Sequence, residues 1–341
     1  MGREHADRLI QLVVRGNLPV NLVRPGLAAA VVVSLAACAA GPGSSASEPG
    51  AASSSPAAAA SPSASAASPS ASAASPSAPP ATLLAEGVIS TDAEEYRISL
   101  APDGQTAYFA RGSGFFPQTR QATIMETRLV DGGWSEPATA AFSGTYPDID
   151  PWVAPDGESI YFSSIRPVEG AERSDAELFR VDRVGDGWSE PVHLATLGSE
   201  QDELGASVSA DGSIWFASDR PGGAGGWDLY SSTAAGEGFA EPQPIEAVNS
   251  SVWEFNPAID AGGATLIFTS ILRDGGSGRG DLFVTTASGG EWSDPQPLAL
   301  NSGADEYHAS LAPDGTTLYF VRRALNGDLY EIPWSLAVSG G

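Results

Sequence analysis

A single pattern is written five times along this chain of 341 residues, and its period limits what the chain can fold into. One copy reads Gly205-Ala-Ser-Val-Ser-Ala-Asp211-Gly212-Ser-Ile-Trp-Phe216-Ala-Ser-Asp-Arg220 and runs on to Asp228-Leu-Tyr230. Its anchor aromatic recurs as Phe109, Phe162, Phe216, Phe268 and Phe320, at intervals of 53, 54, 52 and 52 residues. A fixed period of this kind marks a supersecondary unit that cannot bury its apolar face alone and stacks on copies of itself.

Within a copy, an apolar run, an Asp-Gly pair and a second apolar run read as a β-hairpin with a tight turn. The pair recurs as Asp103-Gly104, Asp156-Gly157, Asp211-Gly212 and Asp314-Gly315, with Gly262-Gly263 in the fourth copy. The second runs are apolar at consecutive positions, as in Ile160-Tyr161-Phe162 and Leu266-Ile267-Phe268, so both faces of that strand should be buried. A third strand is expected at Ala176 to Phe179, Asp228 to Tyr230, Asp281 to Phe283 and Asp328 to Tyr330. A fourth is heralded by Trp134-Ser-Glu-Pro137, Trp188-Ser-Glu-Pro191, Phe239-Ala-Glu-Pro242 and Trp292-Ser-Asp-Pro295, where the proline confines the strand to an edge. Four such strands make a propeller blade. The fold class expected is therefore all-β, a single β-propeller of five four-stranded blades, with six as the alternative if a sheet hides in the first copy. The fifth copy lacks a complete outer strand, and the segment around Leu83 and Leu84 is expected to supply it and close the ring.

Ahead of the repeats, Arg3, Arg8, Arg15 and Arg24 precede a small and apolar run from Leu27 to Ala37. A basic n-region followed by an apolar stretch too short to span a bilayer is expected to be a secretory signal, residues 1–37. Leu35-Ala36-Ala37-Cys38 looks like a bacterial lipobox, and Cys38, the one cysteine in the chain, is expected to be lipidated. From Cys38 to about residue 80 the chain is almost wholly Ala, Ser, Pro and Gly, too poor in large apolar side chains to offset ordering entropy, and is expected to be a disordered tether. The propeller is expected over 81–341. The expected location is the extracytoplasmic face of a membrane, reached only through the lipid anchor.

The net charge is −25 and lysine is absent. Phosphate would be repelled, which excludes nucleic acid and anionic lipid surfaces as partners. Aligned copies sort the remaining polar residues. One column is acidic in all five: Glu95, Asp148, Glu203, Glu254 and Glu306. A second is Arg111, Arg166, Arg220, Arg273 and Arg322. A type required in every blade is required by the blade, so these columns should pair, arginine suiting planar carboxylate recognition. The competing reading is a ring of carboxylates holding Ca2+.

Two residues past each acid the copies disagree, reading Arg97, Asp150, Gly205, Asn256 and His308. The fold has no evident need for that variety, and innermost strands begin there, so Arg97, Asp150, Asn256 and His308, with Trp152, Trp253 and Tyr307 beside them, are the expected ligand-binding residues. No His/Cys cluster, phosphate-cradling loop or nucleophile triad is present, so no metal, cofactor or catalytic residue is assigned.

The segments Ser209-Ala-Asp211-Gly212, Phe216-Ala-Ser-Asp-Arg220 and Asp228-Leu-Tyr230 resemble the TolB-type, WD-repeat-like β-propeller repeats of bacterial envelope proteins. The resemblance covers the chain from about residue 82 and is weakest between Arg111 and Met125. It implies a periplasmic or surface propeller that binds a protein or a glycan. This chain departs from TolB in lacking a separate N-terminal domain and in having one blade fewer, which argues against a Tol-system role. The expected function is a lipid-anchored, monomeric, non-catalytic binding or scaffold module for an envelope protein or glycan. The enzymatic alternative is a glycoside hydrolase of the five-bladed type, using pore carboxylates such as Asp148 and Asp150 with Glu95 or Glu203.

Overall fold

The computed structural model describes residues 78–114 and 116–339. The expected signal, Cys38 and nearly all of the tether lie outside the described residues.

Five antiparallel sheets form the five blades of a β-propeller. The innermost strands are Glu94–Leu100, Asp148–Val153, Glu203–Val208, Trp253–Ile259 and Asp305–Leu311. Each turns through its Asp-Gly or Gly-Gly pair into a second strand: Thr106–Gly112, Ser159–Ser164, Ile214–Ser218, Thr265–Ile271 and Thr317–Arg323. Third strands follow at Ala122–Val130, Glu177–Val184, Asp228–Ser232, Gly280–Ser288 and Gly327–Pro333. Between the second and third strands of blade 1, where the repeat is weakest, lies a helical turn, Phe116–Thr119, and among the described residues no further strand.

The second strands are buried on both faces because they are the middle of each sandwich of blades. All five anchor phenylalanines are fully buried. Four of them stack on the aromatic of the next strand: Phe162 on Phe179, Phe216 on Tyr230, Phe268 on Phe283 and Phe320 on Tyr330, with centroids 5.8–6.2 Å apart. Phe109 has Met125 in that register instead. Truncating one such ring to alanine costs about 3–5 kcal/mol.

The fourth strand differs from expectation. Trp134, Trp188 and Trp292 close a short rung on the far end of the third strand, and after the proline the chain returns as a separate two-residue outer strand: Ala138–Thr139, Val192–His193 and Gln296–Pro297. In blade 3, Phe239 closes a rung on Ala234 and the outer strand is Gln243–Pro244. The missing amide of proline interrupts the ladder, which splits one edge strand into two pieces.

Blade 5 takes its outer strand from the other end of the domain. Thr82 and Leu83 pair with Glu331 and Tyr330, and the Leu84 amide donates to the Leu329 carbonyl at 2.8 Å. In blades 3 and 4 an asparagine side chain clamps the third strand from the connecting segment: Asn249 receives the Leu229 amide and donates to its carbonyl, and Asn301 does the same for Leu282. Ser90 fills that role at the closure, donating to the Leu329 carbonyl at 3.0 Å and accepting the Leu329 amide at 3.1 Å. Ser90→Ala should therefore lower Tm by roughly 5 °C in thermal unfolding, as should Asn249→Ala, since each strands a buried amide and removes one of the two donors to the carbonyl of the same residue. A loss confined to Asn249→Ala would show that the ring does not depend on its N-terminal clamp.

Candidate functional site

Two of the three polar columns are consumed in building blades. Each arginine of the second column reaches the acid that opens its own blade: Arg111 to Glu95 at 3.0 Å, Arg166 to Asp148 at 2.7 Å, Arg220 to Glu203 at 3.1 Å, Arg273 to Glu254 at 3.1 Å and Arg322 to Glu306 at 2.7 Å. The acids are fully buried. Every guanidinium also lies over the anchor phenylalanine, 5.0–5.7 Å from the ring centroid. It donates as well to a carbonyl of the segment arriving from the previous blade, for example Leu197, Val248 or Leu300. That segment supplies a hydroxyl to the acid: Thr91, Ser143, Ser199, Ser250 or Ser302. The result is a latch holding each blade to its incoming connection. The carboxylates face their arginines and not one another, which is the pairing arrangement and not a cation ring.

Burial in these seams shifts the acids. Burial pushes Glu203 up to about 7, helped by the nearby Glu177 and opposed by the Ser199, Ser218 and Arg220 contacts. Burial with Glu306 and Asp305 close by pushes Asp281 up to about 6 against the amides of Ser277 and Gly278.

The divergent column meets on the propeller axis. Each innermost strand carries a β-bulge at this point, between Glu95 and Ile98, Ile149 and Trp152, Leu204 and Ser207, Phe255 and Ala258, and Tyr307 and Ser310. The bulge turns the column side chains inward. Asp150, Gly205, Asn256 and His308 all have positive φ, between 49° and 68°, a conformation that costs a non-glycine residue on the order of 1 kcal/mol or more. Gly205 is the member with no room for more: a Cβ there would lie 3.0 Å from both Cα and Nδ2 of Asn256.

Arg97 crosses the axis from blade 1. Its Nη1 donates to the carbonyls of Gly205 at 3.1 Å and Ala206 at 3.0 Å in blade 3, and its Nη2 to that of Pro257 in blade 4 at 2.8 Å. Asp150 of blade 2 accepts from Asn256 Nδ2 at 3.1 Å, and its other oxygen lies 3.0 Å from Nδ1 of His308 in blade 5, a short but bent approach. All five blades thus contribute to one knot, and all five residues are buried. Burial pulls Arg97 down to about 10, with Asp150 opposing. Burial alone would raise Asp150, but His308, Arg97 and Asn256 outweigh it and hold the carboxyl below its usual range. Below this level the inner strands bond directly to one another: Ser99 Oγ accepts the Val153 amide, Ser207 Oγ accepts the Ile259 amide, and Ser310 Oγ donates to the Ile98 carbonyl.

The aromatic residues expected beside the column separate. Trp152 lies under Arg97, whose guanidinium is 5.5 Å from the ring, and donates its Nε1 to Val208 O. Tyr307 stays at the axis, beside His308 and Phe255. Trp253 sits in the seam between blades 3 and 4, bridged to Trp227 and packed against Gly226. One contact was not foreseen: Arg120, in the loop of blade 1, forks onto Asp202 of blade 3 at 2.6 and 3.0 Å and donates to Ser174 O in blade 2. It falls where the repeat is weakest, so alignment of the copies has nothing to set it against.

No protein-family model matches the chain, and neither does any curated protein. Solved structures resemble it. One is TolB from Acinetobacter baumannii, at 17% identity and a TM-score of 0.45, with 72% of this chain and 53% of that one covered. The chain thus spans about half the length of that protein. Another is a thermostable family-43 glycoside hydrolase, at 11% identity and a TM-score of 0.50, covering 72% and 90%. A third is MPT-4, a mannose phosphorylase from Leishmania mexicana, at 11% identity and 0.50, covering 75% and 88%. At such identities the likeness is one of fold alone, that of the β-propeller.

Two outcomes follow from this geometry. Asp150→Ala leaves the Arg97 charge buried without its counter-ion and should cost about 3–5 kcal/mol, a Tm drop of roughly 10 °C, part of which Arg97→Met in the same chain restores. An unchanged Tm in Asp150→Ala would show that the axial knot does not hold the ring. Glu203 and Asp281, raised above their unfolded values near 4.5 and 3.8, bind protons more readily in the folded state, so their share of stability declines as pH rises from about 4 to about 7. Tm should be higher at pH 5 than at pH 8, and Glu203→Gln should flatten that slope.

Proposed function

We propose that this protein is an exported, lipid-anchored propeller that binds a protein or glycan of the cell envelope without chemistry of its own. The observation that supports this most is the occupied axis. A glycosidase of the five-bladed type needs two carboxylates facing a cavity about 5–10 Å apart. Here Asp150 is held by Asn256 and His308 with the buried Arg97 charge close by, while its candidate partners Asp148, Glu95 and Glu203 are each closed off by an arginine of their own blade. Recognition then belongs to groups at the mouth and on the surrounding loops. The acidic exterior supports the same reading. Among the described residues eleven arginines stand in ion pairs, Arg97 is buried, and Arg183 lies 4.2 Å from the Trp188 ring, so the surface offers a partner mostly negative charge.

Residues 1–37 would act as the signal and Cys38 as the site of lipidation, a reading carried by the lipobox-like sequence. The full chain should partition into detergent in phase separation, and Cys38→Ser should move it to the aqueous phase. Pull-down from native envelopes with the Cys38→Ser chain is expected to capture a specific partner, and the same preparation should turn over no aryl-arabinoside or related pentoside or hexoside. Turnover that disappears in Asp150→Ala would replace this proposal with the glycosidase reading.

A further inference from the structure

His308 is the one member of the axial knot whose side chain still reaches solvent, with about a tenth of its surface exposed. Its Nδ1 lies 3.0 Å from the buried Asp150 carboxylate in a bent approach, and among the described residues no hydrogen bond to the protein engages Nε2, on the opposite edge of the ring. A carboxylate at Nδ1 favours the tautomer with its proton there, and the lone pair is then left on Nε2. The imidazole therefore presents a hydrogen-bond acceptor at the centre of the mouth.

Two aromatic rings flank it. Tyr96 stands edge-on to the imidazole at 5.5 Å and Tyr307 at 6.3 Å, and both tyrosines are buried. The seam between blades 5 and 1, next to Tyr96, is rich in carboxylates. Glu94 is paired with Arg323, but Asp92 and Asp328 have no arginine partner among the described residues, and Asp328 is raised by burial and by Glu94 and Asp92. An acceptor atom between aromatic rings, beside a seam of carboxylates, favours a positively charged donor.

We infer that His308 Nε2, oriented by Asp150, is a recognition point for the ammonium of a lysine side chain on a partner protein. This rests on the binding reading above and narrows it to one chemistry. In this role Asp150 is a positioning residue and His308 the contact.

The test uses the full chain carrying Cys38→Ser, with nitrogen-15 in its histidines, and reads imidazole resonances by NMR. The free protein should show His308 with its proton on Nδ1. Butylammonium chloride, a mimic of the lysine end, should shift the His308 Nε2 resonance saturably in the millimolar range. Tetramethylammonium chloride at equal ionic strength, which has charge but no donor, should leave it in place. A proton on Nε2 in the free protein, no shift with butylammonium, or the same shift with tetramethylammonium would each overturn the inference. An equal response to n-butanol would assign the site to hydroxyl groups, hence glycans, and also overturn it. Since the measurement is made with the axis intact, it does not depend on a variant folding. If envelopes yield a specific partner while butylammonium leaves His308 untouched, the binding function stands and this assignment falls.

Discussion

Five strands that converge on one axis cannot all present the same charged side chain there, and the rest of this structure follows from how that conflict is resolved. A five-fold repeat of Arg97 would place five cations in a space without water; a repeat of Asp150 would place five anions. The solution is one guanidinium, one carboxylate, one amide, one imidazole and one glycine, each from a different blade. The guanidinium suits the central role because its planar fork satisfies three backbone carbonyls from two blades at once, which a lysine ammonium could not do in the same geometry. The carbonyls are free to accept because the bulges interrupt the ladder at that level.

Pseudo-symmetry thus acts in opposite ways at two radii. Away from the axis each blade sees the same neighbours, so the same residue solves the same problem five times, and the latches of buried acid, arginine and stacked phenylalanine are nearly copies. On the axis the neighbours are the other blades, and identical residues would repel. Variation in the column is therefore itself a structural demand, and the premise that the fold has no need for it does not hold. Whether His308 also contacts a ligand depends on Nε2, an atom the knot leaves unused.

This division explains what could be read from the chain beforehand. The anchor phenylalanines, the Asp-Gly turns and the acid and arginine columns recur at a fixed period, and a period is visible in one sequence. So was the borrowed strand at Leu83, because the segment before Glu95 resembles the segment before Glu306. The axial contacts were not visible, since Arg97 meets Gly205 and Pro257 only after the ring has closed, across 108 and 160 residues. Nothing local in the sequence records such a meeting. The splitting of the fourth strand is hidden for the opposite reason: proline places a strand at the edge, and here it also cuts that strand in two. Trp253 was misplaced because its register predicts proximity to the axis, while the close approach of Gly226 draws it into a seam.

The same geometry bears on why a shared fold does not by itself imply a shared activity. A propeller that performs chemistry at its centre has to leave the inner strands apart and place its carboxylates in the gap. Here the inner strands bond to one another through Ser99, Ser207 and Ser310, and the level above them is filled by Arg97 and its partners. The free energy of closing the centre comes from charge pairing, hydrogen bonds and the burial of Trp152 beneath the guanidinium. Opening a cavity would forfeit those terms and strip the buried Arg97 guanidinium of its carbonyl partners. In this chain the axis serves cohesion, and the proposed recognition falls to the few atoms at its mouth and to the loops that surround it.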